Sequence, residues 1–340
     1  MDKLEKTAFV VLGMHRSGTS SIAGTLVKLG ASAPKTRLPA RQDNETGFFE
    51  SAVFMQLNDE ILASAGSKWD DWRAFNPVWF GSPIAAEFEE KASAAIISEF
   101  GSSDLIVIKD PRICRMVPFW LKVINRTGYA ARIIIPVRSP LEVARSLQVR
   151  NEFPTAKGLL LWLRHTLDAE GATRGLPRAV LDWSRFLVDW RLTTALIGER
   201  TGVSWPPLSD QSAADIDHFL KLSLRHFIVA SDEFSFHPDV NDWVRDAYTA
   251  MIALANEGNV GLAKQELDNV KFEFEKGAKI FGRLLVDVEL IARQSNGQAA
   301  AARAERDVAV AARDRILGQI AEHRQRTESV RAEGRRLLRQ

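Results

Sequence analysis

Two rhythms of apolar and polar positions run through the 340-residue chain. Short apolar runs fall at residues 8–12 and 105–108, after Arg132 in 132–137, and between Arg178 and Asp182 in 178–182. Runs of that length suit strands buried on both faces of a parallel sheet. Between and after them, apolar residues recur every three or four positions, the spacing of amphipathic helices. Such segments start with Ile22, Leu26 and Leu29. Others follow over 51–62, 87–100, 118–125, 141–150, 157–170, 184–199, 212–219 and 242–256. Ser139 before Pro140 predicts an N-cap and a first helical residue. Strands alternating with helices predict an α/β fold, a mainly parallel sheet flanked by helices on both faces. Residues 222–227 form a candidate edge segment.

From Leu262 the rhythm becomes sevenfold. Leu267, Phe274, Phe281 and Val288 share one heptad position, and Val270, Gly277, Leu284 and Ile291 the other. This predicts a coiled-coil or helical-hairpin seam and divides the chain into a main domain, 1–257, and a helical coiled-coil extension, 258–340. Residues 262–292 are then the surface for homo-oligomerisation or for docking a partner. From Gln298 onward ten arginines stand among six acidic residues, without aromatics, which reads as a solvated helix and not as a nucleic-acid arm.

Composition removes several classes. Net charge is +2, so no global basic field points to nucleic acid. One cysteine, Cys114, excludes an intramolecular disulfide, and no Cys/His cluster suggests zinc. No apolar run approaches the roughly 18 residues that span a bilayer. Residues 8–12 are too short for the core of a secretion signal, so the expected compartment is the cytoplasm.

Candidate chemistry gathers where strands end. After the first run come Gly13-Met14-His15-Arg16-Ser17-Gly18-Thr19-Ser20. Strand, glycine-bracketed loop and helix aim backbone N–H groups and a helix N-terminus at one point, which suits an anion. The spacing is that of a nucleotide-hydrolase phosphate loop, except that Thr19 stands where the lysine would be and the cation is Arg16. The second run ends in Lys109-Asp110-Pro111, at the edge where open α/β sheets bind ligands. The third ends in Arg138, with Ser146 eight residues on. Both can face one anion only if the strand–helix turn folds back. Trp69, Trp72, Phe75, Trp79 and Phe80 are candidates either for walls of an acceptor pocket or for core packing.

Arg16-Ser17-Gly18-Thr19-Ser20, Lys109-Asp110-Pro111 and Arg138…Ser146 together resemble the sulfotransferases that use 3′-phosphoadenosine 5′-phosphosulfate (PAPS). The resemblance covers about residues 7–235. It implies that residues 16–20 bind the 5′-phosphosulfate, that Arg138 and Ser146 bind the 3′-phosphate, that Lys109 approaches the sulfuryl group, and that Arg225 closes over the adenosine end. Lys109-Asp110-Pro111 departs from the Lys-x-His of the cytosolic phenol and steroid enzymes. It is similar to the carbohydrate and tyrosylprotein branches, where a glutamate is the base. Glu50, in Gly47-Phe48-Phe49-Glu50, is the first candidate and Glu45 the second. The implied acceptor is a hydroxyl on a saccharide or glycolipid, and no metal is required. Two other readings remain open. One is an ATP-dependent kinase or NTPase, with Asp110 as a magnesium ligand. The other is a vestigial domain whose helical tail does the work.

Overall fold

The computed structural model describes residues 6–39, 47–222 and 229–337. In chain order the elements are β1 (Thr7–Val11), α1 (Thr19–Lys28), α2 (Ala52–Ser64), α3 (Pro83–Phe100), β2 (Leu105–Lys109), α4 (Val117–Arg126), β3 (Ala130–Val137), α5 (Pro140–Asn151), α6 (Thr155–Ala172) and β4 (Arg178–Asp182). Then come α7 (Trp183–Val188), α8 (Trp190–Thr201), α9 (Asp210–Leu222), α10 (Ser231–Phe236), α11 (Asp242–Ala255) and α12 (Val260–Leu337). Short 3₁₀ turns cover Pro77–Gly81 and Pro111–Met116. The chain forms two compact units, Met1–Lys279 and Ile280–Gln340.

The sheet of the first unit is wholly parallel, with strand order β2-β1-β3-β4. Its strands bury both faces, because successive side chains point to opposite sides. Ala8, Val10 and Leu12 join one core with Ile106, Ile108, Ile133 and Ile135. Phe9 and Val11 join a second core with Val107, Ile134 and Leu181. Helices α2–α6 and α11 cover the first face; α1, α8 and α9 contribute to the second. This is the α/β sheet that the apolar runs predict, strand for strand.

Strand order fixes where a ligand fits. The chain leaves β1 toward β2 on one side and leaves β3 toward β4 on the other. A crevice therefore opens between the carboxyl ends of β1 and β3, the switch point of an open α/β sheet. Those ends lead into the glycine loop and into Arg138.

One local expectation is corrected and two are refined. The helix expected over 184–199 is two helices, α7 and α8. Asp189 between them is extended (φ −142°, ψ 87°), and its carboxylate accepts the Leu192 N–H at 2.9 Å as an N-cap. Ser139 stands at the N-cap of α5 but makes no cap hydrogen bond with its side chain. Among the aromatics, Trp72, Phe75 and Trp79 are core, not pocket wall, while Trp69 and Phe80 are half-buried. The edge segment expected at 222–227 lies almost wholly outside the described residues.

The sevenfold seam divides. Leu267, Val270 and Phe274 are buried in the first unit's core, where the Phe274 ring lies 6.1 Å from Trp72 and 5.9 Å from Trp243. Those positions are taken by the chain's own packing. In the second unit Phe281, Leu284, Val288 and Ile291 are each more than half exposed. No described helix is long and apolar enough to cross a membrane.

Truncation tests this division. A chain ending at Lys279 should unfold at the Tm of the full chain. Phe274→Ala should cost about 3 kcal/mol or more in urea denaturation, the scale for emptying a buried aromatic site.

Candidate functional site

The loop after β1 takes its shape from two left-handed residues. Arg16 has φ 71° and Gly18 φ 82°. Left-handed backbone costs a non-glycine residue free energy, and such residues gather at functional sites. The Ser17 N–H closes the turn onto the Met14 carbonyl at 3.1 Å. Gly18 then serves as the N-cap of α1, so the helix starts without a capping side chain. The first-turn amides of an uncapped helix present positive charge to an anion. Gly18 is also required sterically. A Cβ there would lie 2.0 Å from Nε1 of Trp183, the first residue of α7. That indole N–H donates to Ser21 Oγ at 2.9 Å and so pins the start of α1.

Arg138, at the end of β3, reaches the same loop. Its Nη1 donates to the Arg16 carbonyl at 3.0 Å, its Nε donates to Glu142 Oε2 at 2.8 Å, and its guanidinium lies 4.3 Å from the Trp183 ring centre. Arg16 Nε donates in turn to Ser146 Oγ at 2.7 Å. The strand–helix turn therefore does fold back. Ser146, at 3% exposure, is the partner of the loop arginine.

Lys109 closes the other side. Its ammonium donates to Ser20 Oγ at 3.1 Å, to the Phe48 carbonyl at 3.1 Å and to Glu50 Oε1 at 2.5 Å. Three donors meet three acceptors, so the ammonium is fixed beside the first turn of α1. Glu50 is buried, and burial raises its carboxyl pKa against the opposing pull of Lys109. Thr19 is buried at the first turn, and Ser20 also donates to the Phe48 carbonyl at 3.3 Å. Asp110 is committed: it accepts the Arg112 N–H at 2.8 Å and the Arg112 Nη1 at 3.2 Å, while Arg112 Nε reaches Asp59 at 2.6 Å. Burial and these two carboxylates are the main influences on Arg112, whose guanidinium pKa stands above its ordinary value.

Two hydroxyls at these turns could bind an anion. Ser17 Oγ is buried inside the loop with no hydrogen-bond partner, and Ser139 Oγ at the Arg138 turn is the same. Buried hydroxyls without partners are uncommon, and a phosphate oxygen satisfies one. Arg16, Ser17, Gly18, Thr19, Ser20, Lys109, Glu50, Arg138 and Ser146 are thus brought together; Arg225 and Glu45 lie outside the described residues. Among the described residues no group of three or more His, Cys, Asp or Glu is placed to hold a metal ion.

Trp183 and Glu142 were missed from sequence. Trp183 follows directly on β4, at the ligand edge of the sheet, and that position was its available signal. Glu142 lies one helical turn beyond Arg138, an i,i+4 pairing that can be read directly from the chain.

No family model matches this chain, and no curated protein matches it. Among solved structures it is similar to the sulfotransferase domain of the Synechococcus PCC 7002 olefin synthase, at 15% identity and TM-score 0.38, covering 76% of this chain and 96% of that one. It is also similar to the sulfotransferase domain of the curacin biosynthetic pathway, at 13% identity and TM-score 0.36, covering 72% and 91%. Overlaps this loose leave the chemistry to be read from the side chains.

Gly18→Ala should lower stability by about 1–3 kcal/mol, the scale of overpacking, and Trp183→Ala should remove part of that penalty in a double-mutant cycle. The unsubstituted chain should show a separate pH effect. His165 on α6 is fully buried, and its Nδ1–H donates to the Leu161 carbonyl at 2.8 Å. Burial first, with Arg115 adding to it, pushes its pKa down to about 3. Its stabilising contribution is complete above the unfolded value near 6.5 and is lost as pH falls toward 3. Denaturation at pH 5 should show about 2 kcal/mol of loss that His165→Asn does not show.

Proposed function

We propose that the chain is a PAPS-dependent sulfotransferase, moving a sulfuryl group from PAPS to an acceptor hydroxyl. One observation carries the reading. The Arg138 guanidinium bonds the Arg16 backbone at 3.0 Å while the Arg16 side chain bonds Ser146, so two anion-binding turns from neighbouring strands meet at one crevice. A mononucleotide with a single phosphate group needs only the first turn. A nucleotide with anions at both 5′ and 3′ positions uses both.

In this reading residues 16–20 hold the 5′-phosphosulfate, with the α1 amides and the Ser17 hydroxyl as donors. Arg138 and its surroundings hold the 3′-phosphate, gripped by a guanidinium fork. Transfer forms a bond from the acceptor oxygen to sulfur and breaks the bond from sulfur to the 5′-phosphate oxygen. Negative charge grows on that phosphate as it leaves, and Arg16, Lys109 and the loop amides stand ready to stabilise it without reorganising. Positioning and charge do the work, as in phosphoryl transfer. Glu50 sets Lys109 in place and is one candidate to receive the acceptor proton. The kinase alternative loses support because Asp110, its would-be magnesium ligand, is occupied by Arg112. The acceptor class carries over from the sequence resemblance, with saccharide hydroxyls first.

The discriminating measurement is a thermal shift with adenosine 3′,5′-bisphosphate against Mg-ATP. At 100 times its dissociation constant the bisphosphate should stabilise by about 2.7 kcal/mol. A shift with Mg-ATP alone overturns the reading. In labelled-sulfate transfer to a panel of glycans, lipids and phenols, Arg16→Ala should lower turnover roughly 100-fold.

A further inference from the structure

The loop carries one more group that the resemblance does not use, His15. It sits between buried Met14 and left-handed Arg16, so its backbone is fixed on both sides. Its ring meets Trp69 edge-on, with centroids 4.9 Å apart at 75°. Trp69 is itself held by Phe153, stacked at 5.7 Å, and by the Arg150 guanidinium 5.6 Å from its ring centre. The imidazole is therefore rigid. Among the described residues neither of its nitrogens has a hydrogen-bond partner. A ring fixed by its carbons with both nitrogens open is placed to exchange a proton with something that arrives later.

The face of α5 orders the site. Glu142, Ser146 and Arg150 recur every four residues and so share one side of the helix. The first holds Arg138, the second holds Arg16, and the third lies against the Trp69 plate that carries His15. One helix thus runs from the expected 3′-phosphate group, past the loop, to the imidazole. On β2, Lys109 and its Glu50 occupy the other flank, and Glu50 is spent on the ammonium at 2.5 Å.

We infer that His15 takes the proton of the acceptor hydroxyl, a role that rests on the sulfotransferase reading above. The acceptor O–H bond breaks toward an imidazole nitrogen as the new O–S bond forms, and the electron pair of the broken S–O bond leaves on the 5′-phosphate. Adenosine 3′,5′-bisphosphate, sulfated acceptor and imidazolium result. The charged groups facing His15 explain how such a base is controlled. Burial lowers its pKa well below the ordinary value, and Arg150 from α5, Arg112 and Lys109 from the β2 edge, and His165 from α6 push in the same direction. Without nucleotide the ring is neutral but weakly basic. A nucleotide carrying anions at both ends offsets those cations and favours the protonated ring, so its basicity rises only when the donor is bound.

Histidine-labelled NMR of the full chain reads this directly. The His15 resonance should titrate below pH 6.5 in the free protein, and its midpoint should rise by about one pH unit or more when adenosine 3′,5′-bisphosphate saturates. A midpoint near the ordinary value that ignores the nucleotide overturns the proposal. Release of the bisphosphate from PAPS, with water as surrogate acceptor, gives a second readout. His15→Ala should slow it roughly 100-fold, should keep the wild-type thermal shift with adenosine 3′,5′-bisphosphate, and should regain at least part of the loss on adding imidazole. His15→Asn should be slow as well. Undiminished release in His15→Ala, or slow release that imidazole cannot restore, overturns the role of His15. Absence of any bisphosphate thermal shift in the wild type sinks the nucleotide reading instead, and the two failures are told apart.

Discussion

A guanidinium from one strand bonded to the backbone of the next strand's loop is the constraint on which this site depends. Arg138 and Arg16 belong to different turns, and each taken separately is an ordinary strand-end cation. The bond from Arg138 Nη1 to the Arg16 carbonyl makes them one object, and it requires Arg16 to hold its left-handed backbone. Trp183 completes the clamp. Its indole lies under the Arg138 guanidinium, abuts Gly18, and donates to Ser21. Loop, Arg138 and the start of α1 are thereby referred to a single rigid side chain at the end of β4. Placement on packed elements of this kind fixes geometry more closely than a free loop does.

Much of the fold was legible because its strands are buried on both faces. A parallel strand covered on each side is apolar on both faces through its middle, and four such short runs mark four strands without needing any periodicity. The order β2-β1-β3-β4 was not legible, since apolar runs carry no record of their neighbours. The break at Asp189 was hidden for a different reason. The apolar spacing continues through it, and only the cap made by its carboxylate ends one helix and starts another. The seam from Leu267 to Ile291 kept its period in sequence while its environment changed. Phe274 is packed against Trp72 and Trp243, whereas Phe281, one heptad on, is 57% exposed. Heptad spacing reports a stripe on a helix and says nothing about what covers it.

The site was legible in its residue types and illegible in its wiring. Arg16, Lys109, Arg138 and Ser146 could be named from strand ends, and all four meet. The sequence sets Arg138 and Ser146 toward one anion but does not show their protein partners, which are Glu142 for Arg138 and Arg16 for Ser146. Eight residues along a strand–helix turn do not determine which side chain faces which, and a hydroxyl at hydrogen-bond distance serves either arginine. Glu50 shows the same limit. Its place among Gly47, Phe48 and Phe49 marked it as a site carboxylate, but only the fold shows it bonded to Lys109. His15 went unread because its neighbours, Trp69, Phe153 and Arg150, come from distant parts of the chain.

The pairing of cations with acids in this crevice also argues for ligand binding over stability. Lys109 with Glu50, Arg138 with Glu142 and Arg112 with Asp110 are all nearly solvent-free. Removing two charges from water costs several kcal/mol per ion, and their attraction often fails to repay it, so apolar replacements would serve the fold as well or better. What the pairs supply is direction. Each carboxylate holds one side of its cation and so fixes how that cation is oriented. Glu142 takes Nε of Arg138, while Nη1 of that guanidinium bonds the loop; Glu50, Ser20 and the Phe48 carbonyl together hold the Lys109 ammonium beside the first turn of α1. In the proposed reading the bound polyanion meets charges already desolvated and oriented, and the cost of placing them there was met when the chain folded.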